Sequence, residues 1–191
     1  MTGTLVNENN VVDVTEQAGI PFDVAAHAAS MVGHHYRVED FYEVGREKVR
    51  EYARAVLDSH PAHHDEEAAK GLGYDGLIAP LTFVSIIGMI AQRKLFEEIV
   101  TGYDLSQIMQ TDQRLVFHRP IQVGDRLFCD VHLDDFRQVA GSDIITTKNI
   151  ITDQHDSLVL TTWTTLVGRT GGEVDANIAN AVKGVMMHVA S

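Results

Sequence analysis

Apolar and polar positions change their rhythm twice along this chain. Over residues 1–29 Asn, Glu and Thr recur without a sustained period, which predicts a loose extension with a short helix near Val24–Ala29. From Arg46 to Leu57 the apolar residues Val49, Tyr52, Ala53 and Val56 fall three and four apart, the spacing of one helix face. A short strand at Glu43–Gly45 precedes this helix, and Asp58 and Pro61 follow where it should stop. Glu66–Lys70 makes a further helical turn ended by Gly71-Leu-Gly73. The longest apolar stretch runs from Leu77 to Val100, with Pro80 suited to a first helical turn. Its first half is apolar almost all round, so this helix should be buried.

After residue 105 the period shortens. Gln107–Phe117, Arg126–Val139, Asp143–Thr152 and Leu158–Gly168 are rich in Val, Ile, Thr and Phe and partly alternate. Short turns at Arg119–Asp125, Ala140–Ser142 and Asp153–Ser157 join them, so the four strands should form an antiparallel sheet. One buried helix and a run of long strands make an α+β domain, with a curved antiparallel sheet wrapped around a long central helix. A single such sheet leaves an edge open, and a second subunit would cover it. The domain is assigned to residues 32–170, with an N-terminal extension over 1–31 and a tail over 171–191 that includes a helix near Ala176–Lys183.

The chain has 191 residues, 45% of them hydrophobic and 22% charged, an ordinary composition for one globular domain. Its net charge of −12 lacks the basic footprint of a nucleic-acid binder and disfavours anionic membrane surfaces. Gln92, Arg93, Lys94, Glu97 and Glu98 interrupt the apolar stretch and argue against a membrane span, and Met1–Asp13 lacks the pattern of a secretory signal. Cys129 is the only cysteine, so no intrachain disulfide forms, in keeping with a cytoplasmic location. Its strand setting predicts a buried structural thiol. His34 and His35 are adjacent on a predicted strand and point to opposite faces, so a shared metal is not expected there.

Candidate chemistry concentrates in Asp58-Ser-His60-Pro61-Ala-His63-His64-Asp65. A carboxylate and an imidazole held together in a Pro-constrained loop can act as an acid–base pair. On spacing alone this signal is weak, and a solvated loop with a helix-terminal His is the favoured reading. No metal is assigned, because Pro61 interrupts the helical spacing that zinc-binding histidines need. There is no Gly-x-Ser-x-Gly nucleophile elbow and no phosphate-binding glycine loop.

These residues resemble a known pattern. Asp58-Ser-His60-Pro61-Ala-His63 is similar to the Asp-x-Asn-Pro-x-His motif of the MaoC-like family of hot-dog-fold R-specific enoyl hydratases and (3R)-hydroxyacyl dehydratases. Phe117-His-Arg-Pro-Ile-Gln-Val-Gly-Asp-Arg-Leu127 resembles that family's turn between two sheet strands. Tyr42–Lys48, Gly73–Phe83 and Thr146–Asn149 look like its actinobacterial branch, which includes the A and C subunits of the mycolic-acid-pathway (3R)-hydroxyacyl-ACP dehydratase and the FAS1-like dehydratase domain. The resemblance covers about residues 32–170. It implies a hot-dog fold, an acyl-ACP or acyl-CoA substrate, Asp58 and His63 as catalytic acid and base, and no cofactor, since only protons move. It implies an acyl chain lying along the central helix near Phe83, Ile86, Ile87 and Ile90, positions that helical periodicity alone assigns to the core. It implies a homodimer, or a heterodimer with a B-type dehydratase subunit.

Two positions depart from the pattern. The motif's Asn is His60 here. Hydratases also follow Ile-Ala with His-Gly, whose N–H polarises the thioester carbonyl, whereas this chain reads Ile78-Ala79-Pro80-Leu81, leaving that task to Leu81 or a neighbour. In the A and C subunits the catalytic motif is degraded and the subunit holds the acyl chain beside a catalytic partner. This chain keeps Asp58 and His63. An acidic carrier protein would need a local basic patch, for which Arg46, Lys48 and Arg50 are the candidates.

Overall fold

The computed structural model describes residues 22–169, together with Asn177, Asn180, Ala181 and Gly184. Most of the N-terminal extension and of the tail lies outside these residues. Of the tail helix expected over 176–183, Asn177, Asn180 and Ala181 are described and are helical.

Helix α1 (Val24–Ser30) begins at Asp23, whose side chain accepts the Ala26 N–H and supplies the missing first-turn acceptor. Two short strands follow, β1 (His35–Arg37) and β2 (Tyr42–Glu43), then α2 (Arg46–Ala55) and α3 (Glu66–Gly71). The central helical stretch is segmented. A 3₁₀ turn (Leu81–Phe83) leads into α4 (Val84–Lys94), which widens into a π turn (Leu95–Ile99). Its last bond runs from Val100 N–H to the Leu95 carbonyl at 2.8 Å. Leu95, Phe96, Ile99 and Val100 are all buried along this turn.

The long strands are β3 (Met109–Phe117), β4 (Arg126–Val139), β5 (Ser142–Thr152) and β6 (Leu158–Gly168). All pairings are antiparallel, in the order β1-β4-β5-β6-β3, with β2 also on β4. In β5 every second residue from Asp143 to Ile151 is buried, so Ile145, Thr147, Asn149 and Ile151 face α4. Leu127, Cys129, Val131 and Leu133 do the same in β4, and a register shift between Leu133 and Asp135 ends that run. One core joins these rows to Phe83, Val84, Ile87, Ala91 and Leu95 of the helix. Met109–Leu115 of edge strand β3 is exposed on both faces, which matches the open edge that the sequence predicts.

Two fixtures hold the helix ends. The Tyr52 hydroxyl on α2 donates to the Thr82 carbonyl at 2.6 Å and lies 3.0 Å from Ser85 Oγ, pinning the start of the central stretch. At the far end Tyr103 donates to buried Asp143 at 2.9 Å. Burial and that carboxylate push the Tyr103 phenol well above its ordinary range.

Candidate active site

Helix α2 stops where Leu57 enters the left-handed region at φ 59°. That reversal turns the chain back on the helix, and Asp58 N–H donates to the Ala53 carbonyl at 2.8 Å. Leu57 is 89% exposed, so its side chain contributes nothing to packing while its backbone carries strain. Leu57→Gly therefore raises stability, by up to about 1 kcal/mol, read as a higher melting temperature.

From Asp58 the loop enters a 3₁₀ turn (Pro61–His63). Pro61 sits at the first position, where no N–H is needed. His60 caps the turn, its Nδ1 accepting the Ala62 N–H at 3.3 Å. Asn is among the best residues for such a cap, so the departure at His60 keeps the capping function with a larger ring. His60→Asn is expected to change stability by less than about 1 kcal/mol, checked by denaturant titration.

This turn presents His63 to Asp58, with His63 Nε2 lying 3.2 Å from Asp58 Oδ2. His63 is 6% exposed, and its Nδ1 donates to the Ile78 carbonyl at 2.7 Å. A carbonyl only accepts, so Nδ1 carries a proton in either charge state. Neutral His63 then offers a lone pair at Nε2, directly facing a carboxylate oxygen. A proton on Nε2 would point straight at that carboxylate, so the geometry suits proton exchange between the two groups. Asp58 is more exposed than His63. Its carboxyl is held below the ordinary carboxylate range, first by the His60 N–H donated to Oδ1 at 3.1 Å and then by His63, against partial desolvation.

The surrounding groups brace this pair. His64 Nε2 donates to the Asp58 carbonyl at 3.0 Å, and Arg50 donates twice to the His64 carbonyl, at 3.0 and 2.7 Å. Asp65 caps α3 by accepting the Ala68 N–H at 2.8 Å. Each imidazole of the cluster thus has a ring nitrogen engaged with backbone. Among the described residues no three His, Cys, Asp or Glu side chains converge as a metal site would require. Arg46 pairs with Glu66 and Glu47, and Arg50 with Glu47. These two cations are neutralised locally, which removes them as the basic patch suggested for a carrier protein.

A cavity of about 260 Å³ lies between α4 and the sheet. Its helical wall is Val84, Ser85, Ile87, Gly88, Ala91 and Leu95, with Met89 and Gln92. Ile87 is the one residue of the expected acyl lining found there. Phe83 is instead fully buried under the rings of Tyr42 and Tyr52, and Ile86 and Ile90 pack elsewhere against the core. Leu81 is 64% exposed at the start of the 3₁₀ turn, where the first N–H groups have no intrahelical acceptor. Cys129 lines the cavity, but burial pushes its thiol up to about 12, so it stays protonated. The sheet wall is mixed: beside apolar Val131, Ile151 and Leu166 it carries four polar side chains of β5 and β6, Thr147, Asn149, Thr162 and Thr164. Those four were not anticipated from the sequence, although Thr147 and Asn149 share the alternation phase of Ile145 and Ile151.

The pattern of the FAS1-like dehydratase domain region matches residues 30–162. The chain belongs to that dehydratase family. A UPF0336 protein of Mycobacterium tuberculosis is 48% identical over 144 residues, 75% of this chain and 91% of the relative. A subunit in the crystal structure of the C-terminally truncated HadBC (3R-hydroxyacyl-ACP dehydratase) complex from the same species is 42% identical. It covers 72% of this chain and 97% of its own, with a TM-score of 0.66. A solved MaoC-like dehydratase is 48% identical with a TM-score of 0.74. It covers 84% of this chain but 49% of its own, so this chain spans about half of it. The sheet wrapped on a central helix is therefore the hot-dog fold of MaoC-like dehydratases, a family of dehydratases and hydratases of fatty-acid metabolism. No helix among the described residues is long and apolar enough to cross a membrane.

Proposed function

We propose that this member of the dehydratase family is a hydro-lyase that interconverts (3R)-3-hydroxyacyl and trans-2-enoyl thioesters of ACP or CoA in the cytoplasm. The observation that carries this reading is the Asp58–His63 pair, 3.2 Å apart, with His63 buried and pinned through Nδ1 on Ile78. In the hydration direction a water oxygen adds to C3 and passes its proton to the Asp58 carboxylate. The C2=C3 electron pair moves toward the thioester carbonyl, and C2 then takes the proton of the His63 imidazolium. The proton left on Asp58 returns to His63 Nε2 across the short gap between them, which resets the pair. Dehydration is the reverse. Protons are the only species the protein transfers, and the thioester acidifies C2, so this chemistry asks for no redox group. With no N–H on Pro80, the first-turn N–H groups of Leu81 and Thr82 are the candidates to receive the developing enolate oxygen. Turnover in D₂O tests this reaction class: one deuterium at C2 and a hydroxyl at C3 of a 3R product support it. Release of free acid and thiol would show thioester hydrolysis instead.

A second reading is favoured by two observations. The HadBC relative is one subunit of a two-subunit complex, and Pro80 removes a donor at the helix entry. In that reading the chain holds the acyl tail while a second hot-dog subunit supplies catalysis. In either reading the exposed edge of β3 is the place for a second hot-dog sheet to pair, in a homodimer or a heterodimer.

A further inference from the structure

The cavity between α4 and the sheet is mostly apolar on its helical side, and on its sheet side a polar patch sits among Val131, Ile151 and Leu166. That is an unusual lining for a plain alkyl chain, which gains most from apolar surroundings on all sides. The polar patch is deep inside the molecule. Thr147, Asn149 and Thr162 are all buried, with Asn149 only 8% exposed. The Asn149 amide Nδ2 donates to Thr162 Oγ1 at 3.2 Å. Asn149 Oδ1 is buried and has no hydrogen-bond partner among the described residues. A buried amide oxygen left without a donor costs stability, so a built site for a donor is the economical explanation. Thr162, in accepting from Asn149, keeps its own hydroxyl hydrogen available. The wall therefore presents one acceptor and one donor side by side. Were the amide turned over, the two roles would exchange and the pair would still be one acceptor and one donor.

A hydroxyl group is the small substituent that both donates and accepts. We propose that this cavity takes an acyl chain bearing a hydroxyl group beyond the reacting C2–C3 unit, recognised by the Asn149 amide and the Thr162 hydroxyl. The size is adequate: a cavity of roughly 150 Å³ holds benzene, and this one is about 260 Å³. Gly88 and Ala91 on the opposite wall leave room beside the polar pair. This inference rests on the acyl-thioester reading and specifies which chains the site prefers.

The test is calorimetric binding to the full chain, using medium-chain acyl-CoA thioesters that differ only in the position of one hydroxyl, beside the unsubstituted thioester. One positional isomer is expected to bind about ten- to a hundredfold tighter than the unsubstituted chain, the worth of one buried polar group satisfied. Asn149→Leu should abolish that preference while keeping or improving affinity for the unsubstituted chain. Thr162→Val should reduce the preference independently, which covers the case in which the Asn149 variant fails to fold. Equal binding of all isomers would overturn the inference and assign the amide to a resident water. A preference that survives both substitutions would overturn it as well. Absence of any acyl binding would overturn the acyl-thioester reading itself, so the two failures are distinguishable.

Discussion

Asp58→Asn and His63→Ala are each expected to lower kcat/KM for enoyl-thioester hydration by about a thousandfold, the scale of a positioned acid or base. Asp58→Asn is the cleaner of the two. The amide oxygen still accepts the His60 N–H, so the loop keeps its shape, but the group no longer takes a proton from water. His63→Ala removes the proton donor to C2 and leaves the Ile78 carbonyl without its partner. Both should spare binding of the acyl chain, because neither residue lines the cavity. The loss should therefore fall mainly on kcat, with little change in KM. The double variant should lose little more than either single one, since the two groups exchange the same proton. Steady-state kinetics on folded variants, checked by their melting temperatures, measures all of this.

Arg119→Ala is expected to cost about 3 kcal/mol of stability and to lower the melting temperature by roughly 5–10 °C. The Arg119 guanidinium donates to both oxygens of Asp125 at 2.8 and 2.9 Å, to Asp153 at 2.9 Å and to the Pro120 carbonyl at 2.9 Å. Asp125 and Asp153 are both buried, so removing the cation strands two carboxylates in a poorly hydrated place. The consequence reaches the active site. The turn that Arg119 ties also pairs with the segment before the central helix: Ala79 N–H donates to the Ile121 carbonyl at 2.8 Å, and Val123 N–H to the Leu77 carbonyl at 2.9 Å. Ile78 lies between these two bonds, and its carbonyl holds His63. Loosening the turn should therefore reduce turnover along with stability.

The same knot sets an acid limit. Burial raises the Asp153 carboxyl, but Arg119 and the backbone N–H groups of His155 and Ser157 outweigh it, and the net shift is downward. A carboxyl depressed in the folded state contributes stability that is complete above its unfolded value of about 3.9 and is lost as pH falls through the lower folded value. Melting temperature should accordingly decline below about pH 4, and less steeply in Arg119→Ala, where the cationic partner is gone. A pH series of thermal melts on the two proteins checks this.

Much of the fold was legible because local pattern and tertiary need agree. Ile145 and Ile151 set the inward phase of β5, and Cys129 and Val131 that of β4, so the strands followed from alternation. The loop at Asp58 was legible because Pro61 and the end of the α2 period fall together. The rotation of the central helix was not. From Leu81 to Met89 it is apolar almost all round, so periodicity carries no information about which stripe meets the cavity. The structure turns Ile87, Gly88 and Ala91 toward it and leaves Phe83 beneath two tyrosines. The Arg119–Asp153 pair was equally hidden, since nothing local joins residues from two separate turns. The polar patch on the sheet was missed for a different reason. Thr and Asn in a strand read as solvent-facing unless their phase is compared with the buried isoleucines on either side.

The most direct measurement is hydration of medium-chain trans-2-enoyl-CoA by the purified wild-type chain alone, followed by loss of enoyl absorbance. Catalysis by the Asp58–His63 pair predicts turnover without any partner, at several chain lengths. No turnover at any chain length by a folded chain that still binds the acyl group would contradict it and assign this chain to holding the substrate for a catalytic partner.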